Sequence, residues 1–157
     1  MIEQNETVAN EIKSVCLRLL ARREHSQKEL LNKLALRGFN RDEVLPVIDE
    51  LAEQDWQNDL RYAESYARFR ILKGYGPLRV SYELAQNGIT GVDLDEFVHA
   101  EAESWLELLV QVYKKKYDHK LVLERKEWVK RSRFLLHRGF SGEMISALQA
   151  HLAVKLK

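Results

Sequence analysis

Between Lys114 and Arg138 the chain gathers the cations Lys114, Lys115, Lys116, Lys120, Arg125, Lys126, Lys130, Arg131, Arg133 and Arg138. Only Asp118, Glu124 and Glu127 oppose them, and Tyr113, Tyr117, Trp128 and Phe134 are interleaved. Long cations beside aromatic rings suit contact with phosphates and stacking on nucleic-acid bases. Phe134 falls in a core register; Trp128 fits either the core or the outer face. A second set lies mid-chain: Arg61, Arg68, Arg70, Lys73 and Arg79 with Tyr62, Tyr66, Tyr75 and Tyr82. Such residues suit protein–protein contact, and Arg61, Tyr62, Arg68, Arg70, Lys73, Tyr75 and Arg79 are the candidates. The other reading is that Tyr62 and Tyr66 pack one helix on the next. A third stretch, Asp93, Asp95, Glu96, Glu101, Glu103 and Glu107, is wholly acidic and reads as a solvated face.

Other chemistries find no support in residue spacing. Histidines 25, 99, 119, 137 and 151 form no His-x-x-x-His pair, so no metal site is expected. Cys16 sits beside Val15 and Leu19 on an apolar helix side and reads as core. Gly74-x-Gly76 lacks a preceding strand and a third glycine, so it is a turn rather than a nucleotide loop. No catalytic set, cofactor or small-molecule substrate is expected.

Composition bounds the rest. The 157 residues carry 25 basic and 24 acidic side chains, a net charge of +1. A hydrophobic fraction of 45% is enough for a core. Few Gly and Pro argue against a loop-rich or all-β fold, and a single cysteine excludes an internal disulfide framework. No apolar run approaches the roughly 18 residues needed to span a bilayer. Met1 to Asn10 is polar and acidic, unlike a signal peptide, so a cytoplasmic location is the expectation.

The elements that must position these residues are helices. Val8, Ile12, Val15, Leu19 and Leu20 share one helical face. Ser26 and Glu29 form a capping box ahead of Leu30, Leu31 and Leu34, leaving Glu24 and His25 in a turn. Asn40 and Glu43 form a similar pair, and Pro46 is tolerable if that helix starts at Asp42.

One junction recurs: Leu34…Gly38-Phe39, Leu84…Gly88-Ile89 and Leu135…Gly139-Phe140, at intervals of about 50 residues. Each glycine is placed to end a helix in the left-handed conformation, with the leucine and the following apolar residue touching across it. Asn40, Thr90 and Ser141 then read as caps of the next helix. Six residues after each glycine stand Val44, Leu94 and Ile145; nine after stand Val47, Phe97 and Leu148. The pattern predicts an all-α array of three tandem three-helix repeats, bounded at 1–54, 55–100 and 101–157, elongated and curved. First helices are expected over about 7–23, 59–72 and 102–117, with Asn58 and Asp59 opening the second and Pro77 at a first helical position.

Three-helix units with tight turns also suit helix-turn-helix readers. The third helices carry Asp42, Glu43, Asp49, Glu50, Asp93, Asp95 and Glu96, which disfavours major-groove readout.

The chain resembles the RecX family, bacterial regulators of the RecA recombinase. The resemblance rests on Leu20-Ala21-Arg22-Arg23-Glu24-His25-Ser26 with Glu29-Leu30 and Lys33-Leu34. It continues through Asn58-Asp59, Tyr62-Ala63, Lys73-Gly74-Tyr75-Gly76-Pro77-Leu78-Arg79, Leu84 and Gly88-Ile89, then Arg133-Phe134-Leu135 and Arg138-Gly139-Phe140. It covers about residues 14–152, departing at Pro46 and at Gln57. The resemblance implies three three-helix repeats and a non-enzymatic protein that binds the RecA filament on single-stranded DNA. It further implies suppression of ATP hydrolysis and strand exchange. A different class, a stand-alone nucleic-acid-binding helical repeat without a recombinase target, would use the same cations.

Overall fold

The computed structural model describes residues 2–157. The elements run α1 (Ile2–Arg22), α2 (Gln27–Leu36), α3 (Arg41–Glu53), α4 (Asp59–Leu72), α5 (Pro77–Gln86), α6 (Asp95–Ala102), α7 (Trp105–Lys116), β1 (Val122–Leu123), α8 (Arg125–His137), α9 (Gly142–Leu152) and β2 (Lys155–Leu156). The chain divides into two compact units. The first runs up to Ser65 and includes Leu84–Thr90; the second is Tyr66–Glu83 with Gly91–Lys157.

The repeated junction is one hydrogen-bond motif written three times. Phe39, Ile89 and Phe140 donate their backbone N–H to the carbonyls of Leu34, Leu84 and Leu135 at 3.2, 2.9 and 3.2 Å. Gly38, Gly88 and Gly139 donate to Ala35, Ala85 and Leu136 at 3.0, 3.1 and 3.0 Å. Their φ angles of +94°, +84° and +99° lie where a Cβ is unfavourable. Helix carbonyls left without partners are thereby satisfied, and Leu34, Leu84 and Leu135 are buried beneath. Asp55 and Ala153 make the same stop, at φ 62° and 59°.

Helix starts follow local chemistry less uniformly. Ser26 accepts from the Glu29 N–H while the Glu29 carboxylate accepts from the Ser26 N–H, a complete capping box. Ser141 caps α9 through the Met144 N–H, and Asn58 accepts from the Arg61 N–H at the head of α4. Asn40 stands at the N-cap of α3 without a side-chain bond. That helix starts at Arg41 rather than Asp42, so Pro46 lies in its second turn and omits one internal hydrogen bond.

Thr90 caps nothing. Gly91, at φ +74°, keeps the chain open until Asp95, whose N–H bonds the Asp93 carboxylate at 3.0 Å. Leu94 is nevertheless buried, and Phe97 half-buried. The helix expected over about 102–117 is present as α7 but starts at Trp105: Glu103, at φ 67°, ends α6, and Ser104 caps α7 through the Glu107 N–H. Beyond the expected all-helical reading, β1 and β2 form a two-residue parallel pair, Val122 opposite Lys155 and Leu123 opposite Leu156.

In the first unit Ile12, Val15 and Cys16 of α1 meet Leu30 and Leu34 of α2 and Val44, Val47, Ile48 and Leu51 of α3. Burial raises the Cys16 thiol to about 11, so it is a core residue and no thiolate nucleophile at neutral pH. Polar groups tie the α1–α2 elbow to the head of α4. Gln57 donates to the His25 carbonyl at 3.2 Å and to Asp59 at 2.8 Å, and Asp59 also accepts from the Gln27 N–H at 3.0 Å. Gln57 is buried by this role, which accounts for a polar residue at that position. In the second unit the core gathers Leu109 and Tyr113 of α7, Trp128 and Leu135 of α8, Ile145 and Leu148 of α9, and Phe140 between the last two helices.

Candidate functional site

The cations between Lys114 and Arg138 divide by helical register. Trp128, Arg131 and Leu135, spaced i, i+3, i+7, form the buried stripe of α8. Lys126, Lys130 and Arg133 lie on the opposite, exposed side, and Arg125 is exposed at the helix start. Lys114, Lys115 and Lys116 are exposed in the last turn of α7, where the helix dipole favours positive charge. Arg125 and Lys126 stand in the first turn of α8, where it opposes them. Lys120 is exposed in the connecting loop.

Arg131 corrects the sequence expectation. It is 4% exposed and donates to the Tyr113 hydroxyl at 2.8 Å, Glu127 at 3.0 Å and Asp118 at 3.2 Å. Burial opposes its charge, but these three partners outweigh it and hold the guanidinium above its ordinary range. It is an internal strut, unavailable to a phosphate. The two aromatic assignments also separate: Trp128 is the buried ring and Phe134 only half-buried. Lys116 Nζ lies 3.5 Å from the Phe134 centroid and the Arg138 guanidinium 5.2 Å from it. Lys73, Lys115, Lys116, Arg138 and Phe134 therefore share one groove of about 410 Å³.

The mid-chain set is spent largely on the protein itself. Tyr62 is buried and accepts from Asn87 at 2.7 Å; burial pushes its phenol up to about 12. It is core rather than contact surface, because its ring lies on the inner side of α4. Arg61 is paired with Glu24 at 2.6 Å.

In the second unit Glu83 binds Arg70 at 2.7 Å, Arg79 at 3.1 Å and the Tyr66 hydroxyl. Burial would raise its carboxyl, yet these bonds hold it below the usual range. Arg70, Arg79 and Arg138 surround the Tyr75 ring at 3.8, 4.9 and 4.7 Å. Backbones then meet directly: Gly76 N–H donates to the Arg138 carbonyl at 2.7 Å and Leu78 N–H to the Gly139 carbonyl at 3.0 Å. A Cβ on Gly139 would fall 2.4 Å from the Arg79 Cβ, and one on Gly76 2.5 Å from the Gly139 oxygen. The Lys73–Pro77 turn is thus seated on the α8–α9 junction.

Arg68 and Lys73 are exposed, and the Lys73 carbonyl accepts from Arg138 at 3.0 Å. Sequence reading missed Glu83, which joins two of the arginines at helical spacing from Arg79. It also missed exposed Phe69 and Leu72 beside Lys73.

All six acids from Asp93 to Glu107 are exposed. Among the described residues no group of three or more His, Cys, Asp or Glu side chains could hold a metal ion. Among the described residues no helix is long and apolar enough to cross a membrane.

Three family models match in tandem: "RecX, first three-helix domain" over residues 13–51, "RecX, second three-helix domain" over 58–96 and "RecX, third three-helix domain" over 102–148. The chain is 37% identical to the Regulatory protein RecX of Pseudomonas fluorescens (strain SBW25) over 137 residues, covering 87% of this chain and 88% of that one. It is 38% identical to the Regulatory protein RecX of Legionella pneumophila (strain Corby) over 130 residues, or 83% and 87% of the two chains. The crystal structure of RecX from Lactobacillus salivarius superposes with a TM-score of 0.71 at 24% identity, covering 94% of this chain and 97% of that one. With its three helix-stop junctions, one in each matched segment, the chain belongs to the RecX family of regulatory proteins.

Proposed function

We propose that this chain inhibits the RecA recombinase by binding its filament on single-stranded DNA, suppressing ATP hydrolysis and strand exchange in recombination and repair, in the cytoplasm and without catalysis of its own. The observation that carries this reading is the exposed cation strip: Lys114, Lys115 and Lys116 at the end of α7, with Arg125, Lys126, Lys130 and Arg133 on α8. Arg125 and Lys126 run against the local helix dipole, a small cost that contact with a polyanion offsets. Repeats bounded at 1–54, 55–100 and 101–157 would let one chain touch several protomers, each contact modest and their sum strong. The middle repeat, through exposed Arg68 and Lys73, contributes to the protein side of that contact.

The test is the DNA-dependent ATPase of RecA titrated with this protein. Inhibition at stoichiometric amounts is expected; undiminished hydrolysis would refute the proposal. The same strip also suits a protein that binds DNA alone. That reading requires tight, steeply salt-dependent oligonucleotide binding together with no effect on the recombinase.

A further inference from the structure

The first unit holds a second, separate set of unengaged cations. Arg18 and Arg22 stand one turn apart on α1, and Arg37 is the C-cap of α2. Arg18 and Arg37 line an open cleft of about 660 Å³ whose apolar lining is Val15 and Phe39. Arg22 joins both arginines beside Val15 in an adjoining depression. All three are exposed, and none has a carboxylate partner among the described residues. Burial first, and then the charges of Arg23, Arg22 and Arg37, hold the nearby Lys33 ammonium below its usual range, with Glu29 as the opposing charge. Like charges crowded in this way are a standing cost that a bound anion relieves.

We propose that this cleft docks an acidic segment of a partner protein, with Arg18, Arg22 and Arg37 taking its carboxylates. Guanidinium forks match carboxylates in bidentate geometry, and Arg is the cation favoured at protein interfaces. The cleft is graded along α1. Arginines mark one end, while Thr7, Asn10 and Ser14 line the other together with Glu11. A polynucleotide carries charge at every step and would set phosphates against the Glu11 carboxylate. A peptide can place carboxylates at the arginine end alone, apolar side chains over Val15 and Phe39, and amides beside Asn10 and Ser14. The α7–α8 strip differs in kind: it is mostly lysine and is spread over the last turn of α7 and the exposed side of α8.

Fluorescence anisotropy of the full chain with a short labelled peptide, in which Glu alternates with Leu and Ser, tests this directly. Exchange of Arg18→Glu with Arg37→Glu is expected to weaken the peptide at least about tenfold while leaving a labelled oligothymidylate within about twofold. Exchange of Lys114→Glu with Lys115→Glu is expected to do the reverse. Should the reversal unfold the chain by circular dichroism, Arg18→Gln with Arg37→Gln is read instead, with the same pattern expected. The proposal is overturned if the unaltered chain does not bind the peptide, if the arginine exchange leaves peptide affinity unchanged, or if oligonucleotide affinity falls equally. Because the peptide assay contains no recombinase, failure of RecA inhibition registers separately.

Discussion

Arg131 and Arg133 are two positions apart and do opposite things. Arg133 is exposed on α8, whereas Arg131 turns inward to Tyr113, Glu127 and Asp118. Removing the buried member leaves a tyrosine hydroxyl and carboxylates without their shared donor. We expect Arg131→Met to lower stability by about 2 kcal/mol or more, and Arg133→Met to stay within about 0.5 kcal/mol, by urea unfolding. Equal effects would remove the distinction between strut and surface. The difference was available in the sequence, because Trp128, Arg131 and Leu135 share one helical stripe. Charge alone concealed it, since a buried cation with three side-chain partners looks no different in sequence from the exposed lysines and arginines around it. The glycines divide in a comparable way. Gly38 and Gly139 both have positive φ, but a Cβ on Gly38 meets nothing within 4 Å, whereas one on Gly139 collides with Arg79. Gly38→Ala should cost about 1 kcal/mol for the left-handed backbone, and Gly139→Ala at least about 1 kcal/mol more for the obstructed approach of the two backbones. Gly88→Val combines a β-branched residue at φ +84° with a contact 3.1 Å from the Lys28 Cβ, and should exceed about 1 kcal/mol. Thermal melting of the three variants gives the order.

At the scale of elements, helix ends were legible wherever the chemistry is local. Ser26 with Glu29, and each Leu…Gly-apolar stop, need only residues within one turn, so their spacing announces them. Thr90 fails because Gly91 follows it and allows the chain to stay open, yet burial of Leu94 keeps the apolar register. The β1–β2 pair joins Leu121–Leu123 to Lys155–Lys157 across α8 and α9, and the seating of Gly76 on Gly139 joins positions far apart in sequence. Neither leaves a local signature. The α1–α2 elbow carries a pH dependence that its residues make explicit. His25 is buried; Nδ1 lies 3.0 Å from the Arg23 carbonyl and Nε2 2.9 Å from Lys33 Nζ. A carbonyl only accepts and an ammonium only donates, so the ring is neutral with its proton on Nδ1. Burial lowers its pKa from the ordinary 6.5, and the charges of Arg23 and Lys33 act in the same direction. The unfolded chain then takes up a proton more readily than the folded one. Stability present above pH 6.5 should therefore decline as pH falls below it. In His25→Gln that portion of the decline should disappear from the melting midpoints between about pH 7 and 5; an unchanged slope would assign it to other groups.

At the scale of the whole molecule, the same helix stop occurs in each of the three segments matched by the RecX domains. Fold and family were legible because that stop repeats; the surfaces were harder to read because exposed and self-facing cations have the same composition. Reversal of Lys114, Lys115, Lys116 and Lys130 to Glu removes exposed charge while leaving the Arg131 strut and the Glu83 cluster in place. Affinity for RecA filaments on single-stranded DNA, measured for this chain and the fourfold variant across a salt series, tests the account most directly. The unaltered chain should bind with a steep decline in affinity as salt rises. The variant should bind more weakly with a flatter slope, by roughly 0.7 in log–log terms for each phosphate it no longer neutralises. Equal affinity and equal slope for the two proteins would contradict the account.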